Sequence, residues 1–272
     1  MTEHLTQAVP PYEVAPDTYI VSELAPAGPD AFIAVNSAVI LGDEPVIVDT
    51  GTFLNRDRWL DAVWSLVDPA DVRWIFLSHD DHDHVGNLTE VLDACPQATL
   101  ITTWFQGERL SGDLRLPLER ARWVNNGERF GSEGRFVAVR PPIFDSPTTR
   151  GLFDTVTGFY WAVDAFGALV PGPVHDAADV DPGMWEATFL DLNRWVSPWH
   201  AVADQARWDR GLDKLASLPI TSVGTAHGAP LHGAMIRRGL DLLRTLPSLP
   251  EAALPGQHDL DELLAATMVP AA

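Results

Sequence analysis

The sequence contains a single cysteine, Cys95, and no apolar run long enough to span a membrane. One thiol excludes an intramolecular disulfide and any iron centre held by four thiolates. The first four residues also lack the basic region and the apolar run of a secretory signal peptide. These absences predict a cytoplasmic protein.

Basic residues are scarce as well: 18 lysines and arginines stand against 38 aspartates and glutamates, which gives a formal net charge of −20. A surface of that charge repels phosphate backbones and anionic lipid headgroups. We therefore expect neither nucleic acid nor a membrane among the partners. Part of the acidic excess is expected at a metal site, where cations neutralise it.

A chain of 272 residues, 46% of them hydrophobic, can bury a large core. No internal repeat or change of composition marks a domain boundary. We expect one domain over residues 1–272, with a core at about 14–246 and a weakly structured tail at 247–272. Strand and helix patterns alternate between residues 18 and 102, which implies helices packed on a sheet.

The most informative stretch, SHDDHDHVGN, occupies residues 78–87 between a predicted buried strand and a predicted helix. Six consecutive imidazoles and carboxylates at a strand end carry a large repulsive and desolvation cost unless a cation compensates them. The alternative is a solvated acidic loop that holds three histidines. We interpret the stretch as a metal site for two ions.

Side chains two positions apart project together from an extended segment. His79 and Asp81 can therefore bind one ion, while the adjacent Asp83 and His84 turn toward a second. The histidine between these pairs, His82, points the other way, so we expect it at the surface or in support of a ligand rather than as a ligand itself. His175 and His200 could line the pocket, but surface or packed positions are favoured for both.

Other strand ends carry polar groups of the same kind. Asp49 ends one predicted strand, Asp164 follows another, and His227 closes the last. Asp145 lies in a proline-flanked loop. An aspartate at the end of a buried strand usually orients its neighbours by hydrogen bonds, so we expect Asp49 to support a metal ligand.

This order of motifs resembles the metallo-β-lactamase superfamily, and within it the diiron domain of flavodiiron proteins and their flavodoxin-free, oxygen-binding relatives. The motifs that carry the resemblance are H-x-E-x-D-H, D-A-F-G and a late His-Gly. They are matched here by His79-x-Asp81-x-Asp83-His84, by Asp164-Ala165-Phe166-Gly167 and by His227-Gly228. The resemblance covers about residues 14–246 and implies an α+β fold, a four-layered αβ/βα sandwich with a two-metal site at the sheet edges.

The resemblance also implies a ligand set of three imidazoles and four carboxylates. Metal one would take His79, Asp81 and Asp145, metal two would take Asp83, His84 and His227, and Asp164 would bridge them. Within this set, Asp164 and Asp83 are the implied catalytic residues.

The chain departs from the family at two positions. Asp81 stands where the family has glutamate, and Asp145 stands where it has histidine in a P-x-x-H-x-P stretch. Asp145 either ligates metal one or caps a turn. A carboxylate at that position also resembles the diiron β-hydroxylases of antibiotic assembly lines.

The implied ligand set indicates which metal is bound. Four carboxylates balance two divalent cations, and hard, anionic oxygen ligands favour iron or manganese over zinc. We predict two iron ions, with zinc or manganese as alternatives.

The first function predicted is a diiron oxidoreductase that binds or reduces dioxygen or nitric oxide. No segment after residue 246 is large enough for a flavodoxin domain, so a separate flavoprotein or another small donor would supply electrons. The alternative is a dinuclear zinc metallohydrolase in which a metal-activated water attacks an ester, lactone or thioester. A diiron oxygenase and a non-catalytic oxygen sensor also stay open, as does a homodimer.

Overall fold

A computed structural model describes residues 6–28 and 30–267. The first four residues, on which the prediction of no signal peptide depends, and the last five of the predicted tail lie outside these ranges. None of the helices in the described ranges is both long and apolar enough to cross a bilayer.

The first sheet has seven strands whose order in the sheet is their order in the chain. They are β1 (Gln7–Ala15), β2 (Thr18–Gly28), β3 (Ala31–Ile40), β4 (Val46–Val48), β5 (Trp74–Phe76), β6 (Thr99–Thr102) and β7 (Ala121–Trp123). Strands β1 to β4 pair antiparallel, whereas β4 to β7 pair parallel. Parallel neighbours need crossover connections, which are supplied by α1 (Arg56–Trp64), α2 (His82–Val85), α3 (Leu88–Ala94) and α4 (Trp104–Leu110).

The second sheet has six strands in the order β13-β12-β11-β10-β9-β8. They are β8 (Arg129–Phe130), β9 (Phe136–Val139), β10 (Gly151–Asp154), β11 (Phe159–Trp161), β12 (Ser222–Gly224) and β13 (Leu231–His232). Only the pair β11 and β12 is parallel among the pairings described, and α5 (Pro182–Val196) and α6 (Gln205–Ala216) connect these two strands. Helix α7 (Ala234–Thr245) follows β13, and α8 (Gln257–Thr267) ends the described chain.

Alternate residues of the strands face opposite sides of each sheet. Phe76 of β5 and Trp161 of β11 belong to one apolar cluster between the two sheets. Ile75 belongs to a second cluster, with Val63 of α1, on the outer side of the first sheet. A third cluster joins the outer side of the second sheet to α5, α6 and α7. The layers run helix, sheet, sheet, helix, so the predicted four-layered sandwich is confirmed.

Three elements were not expected from the sequence. The prolines at positions 10 and 11 argue against a strand, yet β1 forms at the sheet edge, and its register with β2 shifts between Val9 and Tyr12. Strand β13 is only two residues long. Helix α8 lies in the tail for which weak structure is predicted, and its leucines, alanines and glutamate are strong helix formers. The organisation as one domain stays a prediction.

Candidate metal centre

The predicted ligands come together where four strands end. Strands β4 and β5 are parallel neighbours in the first sheet, and β11 and β12 are parallel neighbours in the second. Their carboxyl ends therefore meet along one edge of the sandwich. The segments after β5, β11 and β12 carry all the predicted ligands except Asp145, which comes from the loop between β9 and β10, and the segment after β4 carries Asp49.

One cluster of ligand atoms surrounds the ring of His79, which is buried. Its Nε2 lies 3.2 Å from each carboxylate oxygen of Asp145 and 3.4 Å from Oδ2 of Asp81. His79, Asp145 and Asp164 each offer one ligand atom within 4.8 Å of the other two. These are the residues predicted for metal one, together with the predicted bridge.

A second cluster contains the other two histidines. His84 Nε2 lies 3.1 Å from Oδ1 of Asp164, and His227 Nε2 lies 3.3 Å from the same oxygen. Oδ2 of Asp83 is 3.4 Å from His227 Nε2 and 3.9 Å from His84 Nε2. Asp164 therefore takes part in both clusters, as a bridging ligand must.

The stretch from Ser78 onward is not extended as far as the sequence suggests. Its backbone is extended at Asp81, with φ −73° and ψ 157°, and α2 begins at the next residue. His79 and Asp81 thus face the first cluster from the extended part, while Asp83 and His84 face the second from a single helical turn. Gly86 ends this turn, and a Cβ there would collide with backbone atoms of the loop after β4.

The Nδ1 atoms of the two histidines in the second cluster show which nitrogen of each ring carries a hydrogen. His84 Nδ1 lies 2.9 Å from a carboxylate oxygen of Asp49, and His227 Nδ1 lies 2.9 Å from the backbone oxygen of Ala34. Both partners can only accept a hydrogen bond, so each Nδ1 carries a hydrogen. In their neutral form, both rings aim the Nε2 lone pair at carboxylates. That arrangement is repulsive unless a cation lies between them, so these donors fit a metal ion.

Asp49 occupies the position predicted for a supporting residue. It is buried and has a positive φ of 60°, a backbone conformation that aspartate tolerates better than most residues. Its carboxylate accepts hydrogen bonds from His84, from the backbone nitrogen and hydroxyl of Ser78, and from the indole nitrogen of Trp161 at 3.0 Å. Asp49 thus has the hydrogen bonds expected of a residue that orients its neighbours, and its support of a metal ligand stays a prediction.

Opposite pKa shifts mark the site in the metal-free protein. Burial lowers the pKa of His84, but Asp49, Asp164 and Asp83 outweigh burial and raise it well above its usual value. Burial raises the pKa of Asp164, but the imidazoles of His84 and His227 outweigh burial and lower it well below its usual value. The carboxylates therefore need positive charge among them, which either protons or metal ions provide.

The histidines left open by the sequence lie outside the two clusters. His82 is exposed on α2. His175 stacks on Tyr12, with ring centroids 4.1 Å apart. His200 is buried, and its Nδ1 lies 2.8 Å from the backbone oxygen of Leu246. The surface and packed positions favoured for them are confirmed.

Sequence reasoning missed Asp80, Arg109, Ser146 and Thr148, which lie behind His79. The only local signal was the pair of acids at positions 80 and 81, and the sequence does not reveal that their side chains have different surroundings. Asp80 is bonded to Arg109 and Thr148, whereas Asp81 contacts His79 Nε2.

The chain is similar to a known protein family over more than half of its length. The Metallo-beta-lactamase superfamily model matches residues 31–176. Putative diflavin flavoprotein A 1 of Thermosynechococcus vestitus is 31% identical over 208 residues, which cover 76% of this chain and 34% of that protein. The anaerobic nitric oxide reductase flavorubredoxin of Salmonella arizonae is 25% identical over 134 residues, which cover 48% of this chain and 28% of that protein.

The fold is also similar to a solved structure. The flavodiiron protein from Giardia intestinalis superposes with a TM-score of 0.76 at 16% identity, over 89% of this chain and 60% of that chain. The family and fold predicted from the motifs are thus confirmed. The chain spans about a third of the length of the Thermosynechococcus relative.

Replacing Asp49 by asparagine should weaken the metal in the second cluster. The amide offers one acceptor oxygen in place of two, so His84 loses its fixed orientation, and such changes typically cost about 10- to 100-fold in metal affinity. Titration of the metal-free variant with Co²⁺ measures this. Trp161→Phe removes one of the hydrogen bonds to Asp49 and should have a smaller effect. Unchanged affinity in Asp49→Asn would contradict the role of Asp49.

The stability of the metal-free protein should fall as the pH rises. Burial lowers the pKa of His79, but Asp145 and Asp81 outweigh burial and raise it from 6.5 to about 10. A raised pKa in the folded state stabilises the protein fully below pH 6.5, and this contribution is lost as the pH rises through about 10.

Urea unfolding in the presence of a chelator, repeated across this pH window, measures how steeply the free energy of unfolding falls with pH. Protein loaded with metal should show a shallower slope because the metal ion replaces the proton. His79→Gln should flatten the slope of the metal-free protein. A free energy of unfolding that stays constant or rises with pH would contradict this account.

Proposed function

The chain belongs to the metallo-beta-lactamase superfamily, and we propose that it holds two iron ions and binds or reduces dioxygen or nitric oxide between them. The observation that carries this proposal is the donor set. The atoms that converge on the two clusters belong to four carboxylates and three imidazoles. Hard, anionic oxygen donors favour iron or manganese over zinc.

The exposure of the site supports a small diffusing substrate. The side chain of Asp81 is 55% exposed and that of Asp145 is 32% exposed, whereas His79 and His84 are buried. The carboxylates of Asp81 and Asp145 thus form the solvent side of the first cluster, and the imidazole of His79 forms its inner side. This exposure supports entry of a diatomic molecule from the solvent side of the first cluster.

The chain's own residues would hold and orient the metals. Bound iron would supply the redox chemistry. Asp164 is proposed as a catalytic residue because it takes part in both clusters and so sets the distance between them. Asp83 is proposed as the second, because it contacts His227 and its side chain is partly open to solvent. Asp49 would keep His84 in the tautomer that presents Nε2 to the metal.

We propose that electrons come from a separate donor, such as a flavoprotein. The relatives named above are a diflavin flavoprotein and a flavorubredoxin, of which this chain matches only 34% and 28%. The single cysteine cannot form a four-thiolate iron centre within these 272 residues. The competing function, a zinc hydrolase, would use a metal-activated water instead.

The first test is the number of metals. Protein purified without added metal should contain about two ions per chain, since the donors form two clusters around Asp164. Asp83→Ala should lower this number toward one, because it removes a carboxylate that belongs to the second cluster and not to the first. Elemental analysis measures the number of metal ions per chain in both proteins. Asp57→Ala, at an exposed position of α1, is the control. One ion per chain, unchanged in Asp83→Ala, would contradict the two-metal centre.

The second test separates the two functions. Ferrous protein prepared without oxygen should develop the near-ultraviolet absorption of an oxidised two-iron centre when mixed with oxygenated buffer. Asp164→Ala should abolish this change, because the carboxylate shared by the two clusters is gone. Stopped-flow absorption measures both proteins. If the spectrum stays flat while the zinc form hydrolyses an ester, lactone or thioester, the hydrolase takes the place of the oxidoreductase.

A further inference from the structure

We propose that a ring of four hydrogen-bonded side chains, formed by Asp80, Arg109, Ser146 and Thr148, positions the ligands of the first cluster. Through this ring, the affinity for metal one depends on an arginine that lies outside the metal centre. The proposal rests on the two-metal centre proposed above.

The ring closes on itself. Arg109 donates from Nε to Oδ2 of Asp80 at 2.8 Å and from Nη1 to the hydroxyl of Ser146 at 3.0 Å. The Thr148 hydroxyl lies 2.7 Å from Oδ1 of Asp80 and 2.8 Å from the Ser146 hydroxyl. A carboxylate only accepts, so the single hydrogen of the Thr148 hydroxyl goes to Asp80. The hydroxyl of Ser146 then donates to Thr148.

This hydrogen arrangement leaves an acceptor for His79. Its Nδ1 lies 3.3 Å from the Thr148 hydroxyl oxygen and 3.4 Å from Oδ1 of Asp80. Both are acceptors once the hydroxyl hydrogen points at Asp80. Nδ1 therefore carries the hydrogen, and Nε2 is directed at Asp145 and Asp81. The ring thus accepts the Nδ1 hydrogen of His79, as Asp49 accepts the Nδ1 hydrogen of His84.

The same ring reaches the other side of the first cluster. Ser146 follows Asp145 directly in the chain, so Arg109 restrains the loop that presents this carboxylate. One guanidinium is thus connected to two predicted ligands of metal one, to His79 through Asp80 and to Asp145 through Ser146. Because both connections act through other residues, the members of the ring are positioning residues.

The two clusters differ in what supports them. In the second cluster, the outer nitrogens of His84 and His227 bond to a buried carboxylate and a backbone oxygen. In the first cluster, the supporting carboxylate of Asp80 is 2% exposed, but its cation partner Arg109 is 53% exposed on α4. A buried carboxylate that loses its cation is strongly destabilised. Removing Arg109 should therefore disturb metal one and spare metal two.

The test is a Co²⁺ titration of metal-free full-length protein, followed by visible absorption and by competition with a chelator. Wild type should give two binding constants. Arg109→Gln should weaken the first-cluster constant by about 10- to 100-fold, the range typical of groups that orient metal ligands, and leave the other unchanged. Asp145→Ala identifies the first-cluster constant, and Asp49→Asn identifies the second-cluster constant.

Two further variants distinguish positioning from general stability. Arg238→Gln breaks an exposed ion pair with Glu186 between α7 and α5, and should change neither constant. Arg109→Lys keeps the charge but not the forked contact with both Asp80 and Ser146, so it should fall between wild type and Arg109→Gln. Metal-free Arg109→Gln should melt below wild type because Asp80 loses its cation, yet it should keep the wild-type constant for metal two.

Three results would overturn the proposal. Arg109→Gln with both wild-type constants would contradict the ring while leaving the two-metal centre intact. Loss of both ions together with a lower melting temperature of the metal-free variant would indicate a structural role instead. Wild type that binds fewer than two Co²⁺ ions would contradict the two-metal centre and the ring with it.

Discussion

The hydrogen bonds of the Asp49 carboxylate connect the parts on which the rest of the site depends. Asp49 follows a strand of the first sheet, and it binds Ser78 and His84 from the next strand end and Trp161 from the second sheet. A buried carboxylate is costly unless its partners satisfy it, so these contacts hold the two sheets and the histidine segment in one arrangement. The second cluster is built directly on this arrangement.

Charge balance explains why the sandwich can place so many acids at one edge. Carboxylates that converge on a buried region repel one another, and the pKa shifts of His84 and Asp164 show that the metal-free protein keeps positive charge among them. The predicted ligands therefore act as a group whose charge is compensated either by protons or by metal. Asp145 fits this balance of charge because its carboxylate contacts His79, and this contact raises the pKa of His79 in the metal-free protein.

The relatives and the chain share a fold across low sequence identity because the apolar layers tolerate many substitutions that conserve volume and pattern. The Giardia protein is only 16% identical and still superposes over 89% of this chain. The site varies within that framework. Asp81 and Asp145 differ from the residues that the motif resemblance leads one to expect, and Asp80, beside His79, pairs with Arg109 of α4.

Much of the fold and the proposed site could be predicted from sequence because the signals are local. Alternation and apolar runs identify strands such as β3 and β5, and polar groups at strand ends identify His79, Asp164 and His227. Strand β1 was not predicted because its prolines argue against a strand, and only its pairing with β2 makes it one. The direction of the Asp80 side chain could not be predicted from the sequence either. Its neighbours Arg109 and Thr148 are 29 and 68 residues away in the chain, and only tertiary packing brings them to His79.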